Sequence, residues 1–134
     1  MTDDVNHLTG GCLCGAVKFK VDAPLREVIA CHCGQCRKTT GNFLAATNAP
    51  AASVTFIEQS GLTWFKSSNY AERGFCKSCG SNLFWRESGS DMISITAGSL
   101  DGKTGLHIKE HIYVADKPDW YEITDGKPQF EVWR

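Results

Sequence analysis

The residues best suited to chemistry in this chain are its cysteines, which fall in three tight groups. Cys12 and Cys14 lie in GGCLCG, Cys31, Cys33 and Cys36 in ACHCGQCRKTTG, and Cys76 and Cys79 in FCKSCGSNLFW. Their number, 7, is odd, so they cannot all pair as disulfides within one chain. Clustering of this kind points to metal ligation. On an extended strand, residues i and i+2 share a face. Cys12 and Cys14, at the head of a strand, would aim both thiols at one ion, with Leu13 and Val17 on the opposite, apolar face. Cys76 and Cys79, followed by Gly80, have zinc-knuckle spacing: a tight turn, eased by a glycine, whose N–H groups hydrogen-bond the thiolates. The two pairs supply four thiolates, enough for a tetrahedral structural zinc that clips the first strand to the middle of the chain. A redox role for CKSC would need the motif to open a helix in a βαβ unit. Here it runs into the strand-like NLFW.

Cys31, Cys33 and Cys36 remain. Spacing alone does not force this partition, because Cys33 and Cys36 with Cys76 and Cys79 would also make a ribbon and leave Cys12, Cys14 and Cys31 over. Keeping each group whole gives one site of four ligands and one of three. Three ligands and an open fourth position are the pattern of a catalytic zinc. His32 lies between ligands, but as a strand neighbour it points to the other face and reads as a core or supporting histidine. His7, His107 and His111 are remote in sequence. His111 opens an alternating stretch, reads as packed or surface, and stays open as a site residue.

Zn²⁺ with three thiolates carries a local charge of about −1. It makes hydroxide less readily than a zinc held by three histidines, yet it suits a fourth, soft thiolate. An incoming thiol would be held as thiolate and placed to attack an electrophile. Cys36 is expected to open a helical turn whose dipole favours anionic sulfur. Arg37 and Lys38 read either as charges that attract an anionic thiol or as solvated surface groups. Ligand type alone would also admit iron in a four-cysteine site.

The elements that must position these groups read as short strands. In AVKFKV, Val17, Phe19 and Val21 alternate with Lys18 and Lys20. In MISITAG, Ile93 and Ile95 alternate with Ser94 and Thr96. REVIA, VTFIE, LTWFK, NLFWRE and HIYVAD are also β-like. About eight short strands at this spacing suggest a sandwich, barrel or folded antiparallel sheet. The one helical candidate is a turn or so at CRKTTG, stopped by Gly41. TNAPAAS, EQSG, KSSN, ESGSD and DGKTG read as turns or loops. Trp64, Phe65, Phe84 and Trp85 are expected in the core, and Trp120 and Tyr121 over a sheet edge.

The 134 residues make one domain's worth of chain, and 14 basic against 15 acidic residues give a net charge of −1. That balance argues against nucleic acid and anionic membranes as partners. No apolar run approaches a membrane span, and MTDDVNHLTG lacks the features of a secretory signal, so a cytoplasmic location is expected.

GGCLCGAVKF, CHCGQCRKTTG, FCKSCGSNLFW, AGSLD and HIYVADKPDW follow one another as in the glutathione-dependent formaldehyde-activating enzyme family, also called the CENP-V/GFA domain. The chain resembles that family over nearly its whole length. The resemblance implies a mainly β, Mss4-like (β-tent) fold of short antiparallel strands stabilised by zinc, in a single domain over residues 1–134. It implies two Zn²⁺ per chain: a structural ion on Cys12, Cys14, Cys76 and Cys79, and a second on Cys31, Cys33 and Cys36, where glutathione engages the metal. The implied activity is that of a carbon–sulfur lyase joining glutathione to formaldehyde as S-(hydroxymethyl)glutathione. Its partners would be a small thiol and an aldehyde, with a homo-oligomer left open. The alternative is a non-enzymatic, zinc-stabilised protein-binding module, since the same fold also serves protein interaction.

Overall fold

Strands β1 (Leu8–Gly11) and β2 (Lys18–Val21) form an antiparallel hairpin in which Leu8 faces Val21 and Gly11 faces Lys18. They open a computed structural model that describes residues 7–133. The alternation predicted for β2 holds: Phe19 and Val21 are buried, Lys18 and Lys20 exposed. The strands that follow are β3 (Val28–Cys31), β4 (Leu44–Pro50), β5 (Val54–Glu58), β6 (Leu62–Lys66), β7 (Ala71–Cys76), β8 (Asn82–Glu87), β9 (Met92–Thr96) and β10 (Ile108–Ile112), with one helix, α1 (Gly34–Thr40), after β3. The fold is mainly β, as expected. Among the described residues it has ten strands, where about eight were read.

The chain divides into two compact units. The first runs to Arg26 and resumes over Thr47–Gly105. Here β5 pairs with β2, and β6, β7, β8 and β9 form an antiparallel meander. Its core gathers on Phe84, whose ring meets Phe19 at 5.1 Å, Phe56 at 5.6 Å and Trp64 at 6.0 Å. Leu83 and Ile95 are fully buried, and Ile95 faces Phe84 across the β8–β9 pair. Trp64 and Trp85 are half-buried, and Arg86 lies over the Trp64 ring at 3.6 Å. Phe65, expected in the core, is 60% exposed: it takes the opposite face of β6 from Trp64. Trp120, expected over a sheet edge, is 66% exposed.

The second unit comprises Glu27–Ala46 and the chain from Leu106 onward. In it β3 pairs antiparallel with β4 and parallel with β10, His111 facing Ala30 and Ile112 facing Cys31. This parallel pair departs from the all-antiparallel expectation. Val28, Ile29 and Ala30 are all buried, because a strand paired on both sides and covered on both faces does not alternate. HIYVAD is a strand only through Ile112. Tyr113 takes a left-handed φ of 58°, and Val114–Asp116 coil into a 3₁₀ turn. TNAPAAS, read as a loop, supplies the second half of β4. Its Ala, Asn and Pro give no β signal, but burial of Thr47 and Ala49 holds it extended. Helix α1 is longer than the expected turn. It starts at Gly34 and ends at Gly41, whose φ is 93°, where the sequence placed the stop. Among the described residues no helix is long and apolar enough to cross a membrane.

Candidate metal centres

In the first unit the sulfurs of Cys12, Cys14, Cys76 and Cys79 lie within 4.8 Å of one another. Four sulfurs about 2.3 Å from one ion stand about 3.8 Å apart along the tetrahedron's edges. Cys12–Cys14 and Cys14–Cys76 are both 3.7 Å, so the donor set fits such an ion. Cys12 and Cys14 reach it by a different route from the one read in the sequence. They occupy the turn between β1 and β2 rather than a strand, so a bend converges their thiols. Val17 donates its N–H to Cys12 Sγ at 3.2 Å while Cys12 N–H returns to Val17 O at 3.0 Å. Leu13, expected on an apolar face, is 88% exposed at the tip of this turn. Val17 is buried as expected.

Cys76 ends β7, and Cys79 sits in the turn before β8. Gly80 takes φ 81° there, donating to Cys76 O at 2.7 Å. That positive φ is open to glycine at little cost. The motif runs into a strand, as read, and opens no helix. Cys79 is drawn down to about 5 by the Ser81 hydroxyl first, then by the N–H groups of Ser81 and Cys14. Gly61 joins the two turns: its N–H donates to Ala16 O at 3.0 Å and its carbonyl accepts from Lys77 N–H at 2.8 Å. A Cβ at Gly61 would meet Ala16 Cβ at 2.7 Å and Cys76 Sγ at 2.9 Å, so only glycine fits without a shift.

In the second unit Cys31, Cys33 and Cys36 bring their sulfurs within 4.8 Å, and among the described residues no fourth His, Cys, Asp or Glu ligand joins them. The two groups stay whole, and the alternative ribbon of Cys33 and Cys36 with Cys76 and Cys79 is not formed. Cys31 ends β3, and Cys33 caps α1 with its sulfur accepting from Cys36 N–H at 3.4 Å. The helix therefore opens at Cys33, with the buried Cys36 inside its first turn, rather than at Cys36. Hydrogen bonds from Cys31 and Cys36 draw Cys33 down to about 2, ahead of burial, which opposes them. Cys31 is pushed up, because its thiol donates to those partners. The soft donors, their number and their closeness suit a thiophilic ion such as zinc. Arg37 is half-buried, with a buried Nε that has no hydrogen-bond partner, while Lys38 is exposed.

His32 is fully buried and joins no sulfur group. Its Nε2 lies 2.9 Å from Nδ1 of His111, also fully buried, and His111 Nε2 lies 2.8 Å from Asp125 Oδ2. The ring of His32 packs against Phe43 at 5.0 Å and Tyr121 at 6.0 Å, which meet each other at 5.8 Å. Lys117 Nζ, bonded to Tyr121 O at 2.5 Å, helps fix that tyrosine. Burial first, then the neighbouring His111 and Lys117, push His32 down to about 4. Sequence reasoning named His32 and His111 separately but missed Phe43 and Asp125, which carry no spacing signal. His7 and His107 instead pair with Asp22 and Glu27.

Against known proteins, residues 7–116 match the family model described as glutathione-dependent formaldehyde-activating enzyme. Tyr121 and Asp125 lie beyond that stretch. A Schizosaccharomyces pombe protein described as an uncharacterized lyase is 31% identical over 125 residues, covering 92% of this chain and 90% of its own. A Halomonas elongata protein described as a "putative glutathione-dependent formaldehyde-activating enzyme" is 31% identical over 135 residues, covering 87% of this chain and 80% of its own. The crystal structure of a Rhodobacter sphaeroides protein, a Northeast Structural Genomics target, is similar with a TM-score of 0.59 at 20% identity, covering 91% of this chain and 98% of that one.

Proposed function

Because the chain belongs to the glutathione-dependent formaldehyde-activating enzyme family, we propose that it is a zinc-dependent, carbon–sulfur lyase-like enzyme that forms or breaks a C–S bond between a thiol such as glutathione and a small aldehyde. Cys12, Cys14, Cys76 and Cys79 hold a structural zinc in this reading, and Cys31, Cys33 and Cys36 hold a second. The observation that carries it is a three-sulfur cluster with no fourth ligand among the described residues, in a chain that also has a complete four-sulfur cluster. When bound at the three sulfurs, zinc supplies a Lewis-acidic position that keeps a substrate sulfur deprotonated and nucleophilic.

The chain's own residues do the holding. The N–H of Cys36 fixes Cys33, and the turn from β3 into α1 sets the three sulfurs on one side. Arg37 offers a cationic group to a thiol that carries carboxylates. In the forward direction the S–C bond forms, the carbonyl π bond breaks, and the thiol's proton ends on the new hydroxyl oxygen. In this reading the chain works as one domain over residues 1–134, in the cytoplasm, where thiols stay reduced.

The test is metal content together with exchange of glutathione and ¹³C-formaldehyde followed by NMR. Two zinc per wild-type chain, one in Cys33→Ala, and exchange faster than the uncatalysed rate only in wild type are expected. One zinc per wild-type chain would end this reading. A zinc-loaded structure with a protein side chain as the fourth ligand would favour a binding module instead.

A further inference from the structure

An ionised carboxylate only accepts hydrogen bonds. Asp125 Oδ2, 2.8 Å from His111 Nε2, therefore takes a proton donor there, and neutral His111 presents a bare Nδ1. That nitrogen accepts from His32 Nε2–H across 2.9 Å. The other ring nitrogen of His32, Nδ1, is buried and has no hydrogen-bond partner. His111 is thus the one polar hold on the His32 side chain among the described residues. His32 stands between Cys31 and Cys33, and its own N–H is bonded to Ile112 O at 2.9 Å. Its ring orientation and the backbone that aims the two cysteines are therefore set together. The far end of the relay is fixed as well: Lys127 N–H donates to Asp125 Oδ1 at 2.9 Å, and Pro128 and Phe130 bond the backbone of His111.

We propose that Asp125 and His111 are positioning residues for the three-cysteine site, holding the Cys31–His32–Cys33 segment in ligating geometry through the buried side chain of His32. This rests on the reading that Cys31, Cys33 and Cys36 bind metal. Partners of this supporting kind, when they hold a ligand segment, typically change metal affinity by about 10- to 100-fold on removal. The three sulfurs are then not a self-sufficient loop: a segment ending in Asp125 tunes them from almost a hundred residues away.

The experiment titrates wild type, Asp125→Ala and Asp125→Asn with cobalt(II). Cobalt–thiolate charge-transfer and ligand-field bands are read together with the thermal midpoint. The step retained by Cys33→Ala identifies the four-cysteine site, which serves as the internal reference. Asp125 has a partly exposed side chain, so its variants should fold. In Asp125→Ala the three-cysteine step should weaken about 10- to 100-fold and its ligand-field band should move. The four-cysteine step should keep its position. Asp125→Asn, with one accepting oxygen in place of two, should fall between. A three-cysteine step in Asp125→Ala that matches wild type would overturn the proposal alone. Equal weakening of both steps would also overturn it, as a general loss of fold. A wild type that takes up one cobalt per chain would remove both this proposal and the functional reading beneath it.

Discussion

Cys12, Cys14, Cys76 and Cys79 sit on two turns that are distant in sequence and tied through Gly61, whereas Cys31, Cys33 and Cys36 sit within one strand end and helix cap. Cys14 and Cys76 are 62 positions apart, so an ion there closes a long loop that the unfolded chain leaves open. Closing it costs chain entropy that metal binding would have to offset, so in the proposed reading metal binding and folding of this unit are one event. In the proposed reading the three-cysteine group closes only a short local loop, so an ion there would add little to folding and its fourth position would stay open to a substrate sulfur. In that reading one ligand type would serve two roles, set apart by how far its members are separated in sequence.

The sharpest way to break this comparison is to remove one sulfur from each group. Cys76→Ala should cost about 5 kcal/mol or more, enough to abolish cooperative folding. Cys33→Ala should stay folded, with a change within about 1 kcal/mol. Thermal melts by circular dichroism decide this, and similar melting points for both variants would refute the division of roles. A smaller effect is expected at the link between the turns. Gly61→Ala forces a methyl against Ala16 and Cys76 Sγ. It should cost about 1–3 kcal/mol and weaken metal binding at the four-cysteine group only. Urea unfolding and chelator competition measure the two effects, and a wild-type midpoint would show that the close packing at Gly61 is unimportant.

At the three-cysteine site, Arg37→Gln should raise KM for glutathione about tenfold while leaving that for neutral 2-mercaptoethanol within about twofold. Equal effects on both thiols would remove Arg37 from substrate recognition. The smallest change is expected for Ser81→Ala. The Ser81 hydroxyl is the first cause of the low Cys79 value, about 5. Because the hydroxyl favours the thiolate, its loss should move the Cys79 midpoint up toward the ordinary thiol range. The pH at which the four-cysteine site gives up zinc to a colorimetric chelator should rise with it, since a less acidic thiol is protonated off the metal at higher pH, and an unmoved release pH would assign the effect to the backbone N–H groups.

The three local cysteine clusters were legible because ligand spacing is a local property, though not which clusters share an ion, and β2 was legible because Phe19 and Val21 alternate with lysines. What sequence reasoning missed was set by tertiary context. Strand β4 has no β-forming run, and only burial makes it a strand. Cys12 and Cys14 looked like strand neighbours because a C-x-C turn and a C-x-C strand share one pattern. Phe65 and Trp64 both looked like core, and only the orientation of β6 exposes one of them. Asp125 lies far from its partners in sequence, and a single carboxylate in a loop carries no periodicity. The His32–His111 contact bridges 79 positions through parallel pairing that no local pattern announces.

The central claim is that the three-cysteine site takes a substrate sulfur. It is tested most directly by titrating the cobalt(II)-loaded protein with glutathione and following the cobalt–thiolate charge-transfer band. The account predicts a saturable rise, equal to about one added thiolate per chain, in wild type and none in Cys33→Ala. A flat band in wild type, or the same rise in Cys33→Ala, would contradict it.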